Sequence, residues 1–157
     1  MEEFSRSLPM MLYRTLDAVM PRFRRIFNEF GLTEQQWRVL RVLWQHERIA
    51  LGDLADLTLI PPPSLVGVVD RLTKSGLADR ARSDTDRRNV FVYATGKGQA
   101  LESEVRPRVD RAYAELRRSV DAGTWKSLID SLEQISSIED GPEDRKSAGK
   151  QTVTSSK

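Results

Sequence analysis

Apolar residues recur three or four positions apart at Leu8, Leu12, Leu16, Val19, Phe23, Ile26 and Phe30, which predicts an amphipathic helix over 8–30. At 1.5 Å per residue it would be about 34 Å long. Pro21 interrupts the stripe, and its ring would clash with the carbonyl four residues back, so a bend or a split near Asp17 is expected. A second helix opens at Thr33, with Gln36 at capping-box spacing and Trp37, Leu40, Leu43 and Trp44 along one side. A short helix over about 51–57 follows, with Leu51, Leu54 and Ala55 inward, then a turn and a third helix over about 62–75. Prolines 61 to 63 suit a helix start, where the amides have no partner and φ is already near its helical value. On that helix Leu65, Val69 and Leu72 share the core face, which leaves Ser64, Gly67, Arg71 and Lys74 outward, and Gly76 supplies a left-handed end.

The period then changes. Residues 77–82 start a hairpin, and Val90, Val92 and Ala94 alternate with Phe91 and Tyr93 as its return strand, which places Arg87 and Arg88 at the tip. Thr95 is a candidate N-cap for a second long stripe at Leu101, Val105, Val109, Ala112, Leu116 and Val120, with Pro107 predicting a bend near Glu104. Gly123 and Thr124 punctuate before a last helix carrying Trp125, Leu128, Leu132 and Ile135, and Gly141-Pro142 opens a polar tail, expected disordered over 140–157. The fold class is therefore mainly α with a small β-hairpin wing. Two short helices joined by a turn and followed by a hairpin describe a winged helix-turn-helix within a single domain over 1–139.

Composition narrows the chemistry. The chain has 157 residues, no cysteine and one histidine, His46, so disulfides, thiolate metal sites and cysteine nucleophiles are excluded and no cofactor or metal is expected. No glycine-rich phosphate loop and no nucleophile beside a base is evident, which argues against an enzyme. The Met-Glu-Glu start lacks a basic leader and no apolar run is long enough to span a bilayer, so a cytoplasmic location without membrane association is expected. The net charge of +2 says little, but Arg71, Lys74, Arg80, Arg82, Arg87 and Arg88 gather where the third helix meets the hairpin.

That concentration points to double-stranded DNA. A guanidinium is planar, permanently charged and weakly hydrated, so Arg88 at a hairpin tip suits the negative minor groove, and Asp86 would pair with a neighbouring arginine to hold the tip in shape. Arg87 and Arg82 are phosphate partners or plain surface charge. On the third helix Ser64 could donate to a phosphate or base edge, and Gly67 would allow close backbone approach. Arg71 could read guanine or be held in a salt bridge with Asp70, and Lys74 would meet phosphate.

The chain resembles the MarR family of winged-helix transcriptional regulators over residues 8–138. Asp86-x-Arg88 matches the family's wing motif, with Ala94-Thr95 standing where the family has Leu-Thr. The stretch LTEQQWRVLRVLW is similar to the branch that regulates catabolism of aromatic acids such as homoprotocatechuate. The resemblance implies that 8–30 and 97–138 are dimerisation helices flanking a DNA-binding winged helix over 33–95, and that a homodimer sits on a near-palindromic operator. It further implies a repressor released by a small aromatic carboxylate or phenol. An aromatic wall and a cation for that effector could come from Arg14, Trp37 and Arg38. Trp37 could equally be core packing, while Arg14 or Arg38 could pair with Asp17 or Glu34. His46 is expected at a surface helix end rather than on a ligand phenol. The alternative reading is a ligand-independent winged-helix module for DNA or protein contacts.

Overall fold

A computed structural model describes residues 3–82 and 90–138. A short 3-10 turn (Phe4–Arg6) precedes α1 (Leu8–Glu29), α2 (Glu34–Leu43), β1 (Ile49–Ala50), α3 (Leu51–Thr58), α4 (Pro62–Lys74), β2 (Ala78–Arg82), β3 (Val90–Ala94), α5 (Gly96–Arg118) and α6 (Ala122–Ser136). Two units divide within α5, one ending at Ala114 and the other beginning at Glu115.

The helix ends follow local chemistry. Thr33 caps α2 through the expected capping box: its hydroxyl accepts from Gln36 N at 3.2 Å, and its own amide donates to Gln36 Oε1 at 2.8 Å. Gly76, at φ +74°, ends α4 in the left-handed region. Thr95 caps α5, accepting from Gly98 N at 3.1 Å. At α6 the punctuation lies elsewhere than the sequence suggests. Gly123 and Thr124 belong to the first turn, and Asp121 is the cap, accepting from Thr124 N at 2.9 Å.

Neither proline splits its helix: α1 is continuous through Pro21, and α5 through Pro107. Both rings are exposed, so each costs a ladder hydrogen bond without driving a side chain into the core.

The sheet has three antiparallel strands in the order β1-β3-β2 rather than a bare hairpin. Ala78 faces Ala94 and Arg82 faces Val90, while Ile49 pairs with Val92 at the other edge of β3. β1 escapes sequence reading because two residues cannot display an alternation. Inward side chains fill the core of the first unit, with Leu40, Leu43, Leu54, Leu65, Val68, Val69, Leu72, Val92 and Val105 fully buried. That packing fixes α4 on three neighbours and leaves its opposite face in solvent.

Candidate DNA-reading surface and effector cavity

α4 buries Leu65, Val68, Val69 and Leu72, a stripe at helical spacing, and consequently turns Ser64, Arg71 and Lys74 to solvent with Gly67 half-buried beside them. Asp70 is not held by Arg71. It accepts from Arg80 Nη1 of β2 at 2.7 Å, and Arg80 Nη2 also donates to Val66 O at 3.3 Å. One β2 arginine thus locks α4 to the sheet, while the Arg71 guanidinium reaches back alongside Gly67, 3.5 Å from where a Cβ would stand. Neutralised by Arg80, Asp70 repels an approaching phosphate less.

A second anchor joins the sheet to α5. The Thr95 hydroxyl donates to Gly76 O at 2.5 Å, Thr95 N to Leu77 O at 3.1 Å and Lys97 Nζ to Ser75 O at 2.8 Å, so the end of α4 and the end of β3 are stitched together. Arg82 is exposed at the end of β2. Asp86, Arg87 and Arg88, assigned to the hairpin tip, lie outside the described residues, as does the tail over 140–157.

The second feature is a cavity of about 460 Å³ walled by Leu16, Val19, Met20, Phe23, Phe27, Trp37 and Tyr113, with Glu34 and Arg38 at its polar edge. Its rings form a ladder. Phe23 stands 4.7 Å from Tyr113, Phe27 stacks on Trp37 at 4.8 Å, and Trp37 meets Trp44 edge-on at 5.4 Å. Trp44 is fixed in turn by its indole N–H, which donates to Gly98 O at 2.9 Å. Trp37 therefore both packs the core and walls the cavity.

Arg38 donates through Nη2 to Glu34 Oε1 at 3.2 Å, the predicted ion pair, and through Nη1 to Thr58 O at 3.1 Å. Glu34 also accepts from Arg24 Nε at 3.1 Å. The guanidinium carries five N–H donors, so these two bonds leave capacity for an incoming carboxylate, and Glu34 can accept from a phenol. Arg14 is exposed on α1 and does not line this cavity. Arg41, which the sequence reading missed, is half-buried with its guanidinium 5.8 Å from the Trp37 ring centre; its position four residues from Trp37 on one helix was the available signal. His46 is exposed after α2.

Comparison with known proteins bears on what this pairing of surfaces does. Residues 30–89 match the MarR family. The HTH-type transcriptional regulator FarR of Neisseria gonorrhoeae is 34% identical over 134 residues, which span 85% of this chain and 92% of FarR. The chain belongs to the MarR family. Its fold class, a mainly helical winged helix-turn-helix, and its standing as a transcriptional regulator follow from that membership. Another relative, the homoprotocatechuate degradative operon repressor of Escherichia coli, is 33% identical over 82% of this chain and 87% of its own length. The crystal structure of NadR in complex with 4-hydroxyphenylacetate superposes with a TM-score of 0.75 at 32% identity, covering 88% of this chain and 99% of NadR. Among the described residues, no helix is long and apolar enough to cross a membrane.

Proposed function

We propose that this MarR-family regulator is a cytoplasmic homodimeric repressor whose α4 enters the major groove of a near-palindromic operator and whose release is triggered by a small aromatic acid. The observation that carries the DNA half is the solvent face of α4, where Ser64, Gly67, Arg71 and Lys74 stand together on a helix locked to β2 by Arg80. In this reading Arg71 reads a base edge and Lys74 and Arg82 meet phosphates. Arg87 and Arg88 add the wing contact, shaped by Asp86.

Dimerisation is supported by apolar side chains left in solvent. Leu8, Met11, Leu12, Tyr13 and Leu16 line the exposed start of α1, and Leu128, Ile129 and Ile135 are exposed on α6. We assign 8–30 and 97–138 to the dimer contact and 33–95 to DNA binding. Two chains related by a two-fold axis would present their α4 helices to successive major grooves about 34 Å apart.

For the effector, the cavity beside Trp37 offers aromatic walls, a cation in Arg38 and an acceptor in Glu34, the complement of a hydroxyaryl carboxylate. A groove of about 550 Å³ in the second unit, lined by Arg117, Trp125 and Ile129 among others, is the weaker candidate. Its lysine, Lys126, is already paired with Asp130 at 2.6 Å, and Trp125 is its one aromatic wall. Arg38 also bonds the last turn of α3, so a carboxylate that draws it away would loosen the step into α4 and favour a dimer with wrongly spaced reading helices. Arg14 remains a candidate effector contact in the dimer. Titrating 4-hydroxyphenylacetate and a panel of related aryl carboxylates against operator-bound protein tests this reading. Weakened binding with at least one of them supports it, and indifference to the whole panel removes the effector.

A further inference from the structure

The outward face of α4 is poor in hydrogen-bonding groups where it should be richest. A recognition helix presents its N-terminal residues to the bases, yet over its first two turns α4 exposes Pro62, Pro63, Ser64 and Val66 with Gly67 half-buried. Of these only Ser64 carries a polar side chain. Pro62 and Pro63 have no amide proton, and the Leu65 amide is spent on Pro61 O at 2.9 Å. The turn that in other helices offers several N–H groups to a phosphate is here a hydrocarbon surface. Val66, 42% exposed, is its largest aliphatic side chain.

Val66 is also held in place. Its carbonyl accepts from Arg80, and Arg80 is tied one turn on to Asp70. A β-branched side chain in a helix is nearly confined to one rotamer, so its two methyl groups point in a fixed direction and lose little freedom on contact. Cations follow this patch along the same helix at Arg71 and Lys74, which fits a polyanion running past the C-terminal side of an apolar start.

In the major groove one base-edge feature is hydrocarbon, the C5 methyl of thymine. We propose that Val66, with Pro63 beside it, reads thymine methyl groups, so that the first turns of α4 select sequence by apolar contact while hydrogen-bonded readout falls to Arg71. This rests on the assignment of α4 to the major groove made above.

The test uses full-length protein and an operator selected from a random duplex pool. Each thymine of a half-site is replaced in turn by deoxyuridine, which lacks only the methyl, and the Kd is measured by fluorescence anisotropy at fixed salt. At one or two positions per half-site the Kd should rise roughly three- to five-fold, the worth of one buried methyl. Val66→Ala, checked for an unchanged melting curve, should bind thymine and deoxyuridine duplexes alike at one of those positions. Pro63→Ala should do so at a neighbouring one. Half-sites without thymine, a scan with no sensitive position, or full sensitivity retained by both variants would each overturn the proposal. If no duplex is selected at all, the major-groove assignment fails and the methyl readout falls with it. If an operator is bound tightly but indifferently to methyl loss, the methyl readout alone is lost.

Discussion

Gly67 and Gly98 both lie within helices, and their surroundings give them opposite roles. A Cβ at Gly98 would stand 2.0 Å from Leu77 O, a backbone atom in the stitched junction of α4, β2 and α5, so nothing flexible can yield. Gly98→Ala should cost about 3 kcal/mol, at the upper end for overpacking, measured by urea denaturation. At Gly67 the same methyl would meet only the mobile Arg71 guanidinium at 3.5 Å, so Gly67→Ala should leave the fold as stable or add up to about 1 kcal/mol of helix propensity. The same variant should weaken operator binding several-fold if backbone meets DNA there, and a variant that bound unchanged would remove the close approach. That Gly67 lies off the buried stripe of α4 was legible from sequence because it follows from helical period alone. The role of Gly98 was not, because its constraint comes from Leu77 on another element and leaves no local mark. Arg80 was likewise hidden: Asp70 has Arg71 next to it in sequence, yet neighbours in a helix point apart, and the partner comes from β2.

Among the elements, α2 bears on both ends of the proposed signal. Its Trp37 walls the cavity and its Arg38 bonds the end of α3. Because Arg38 is exposed and Glu34 keeps Arg24 as a partner, Arg38→Ala should cost only about 1–2 kcal/mol in stability, most of it from the lost bond to Thr58 O. The same variant should lose most of the aryl-acid effect on DNA binding, and a full effector response in it would discard Arg38 as the carboxylate partner. At α6, the Thr124 hydroxyl and amide donate to Asp121 and hold its carboxyl below the usual 3.8. A lowered folded value means the cap stabilises fully above 3.8 and is lost as the pH falls through the lowered value. Helicity followed by circular dichroism from about pH 5 down to about pH 2 should therefore contain a loss that Asp121→Ala lacks. Sequence reading located six helices but misplaced this cap, because Gly123-Thr124 carries a stronger punctuation signal than the single aspartate before it. The split expected as one outcome at Pro21 does not occur, since α1 runs unbroken through it, as α5 does through Pro107.

At the scale of the whole molecule, the unanswered demand is burial. α1 and α6 each leave several large apolar side chains exposed, and the proposed answer is a second copy. Charging the α1 face with Leu8→Glu and Leu12→Glu should give a monomer of unchanged helix content that no longer binds the operator tightly, readable by sedimentation and anisotropy together. The winged helix was legible in the chain because it is built from local periods, caps and turn residues. The aromatic cavity was only partly legible, since Trp37 and Arg38 are close in sequence whereas Phe23 and Tyr113 meet only through packing. The most direct test of the account is a titration of labelled, selected operator duplex with full-length protein at several salt concentrations, following stoichiometry and affinity together. Two protomers per duplex and an affinity that falls steeply as salt rises are predicted. A chain that remained monomeric and ignored duplex DNA even in dilute buffer would contradict it.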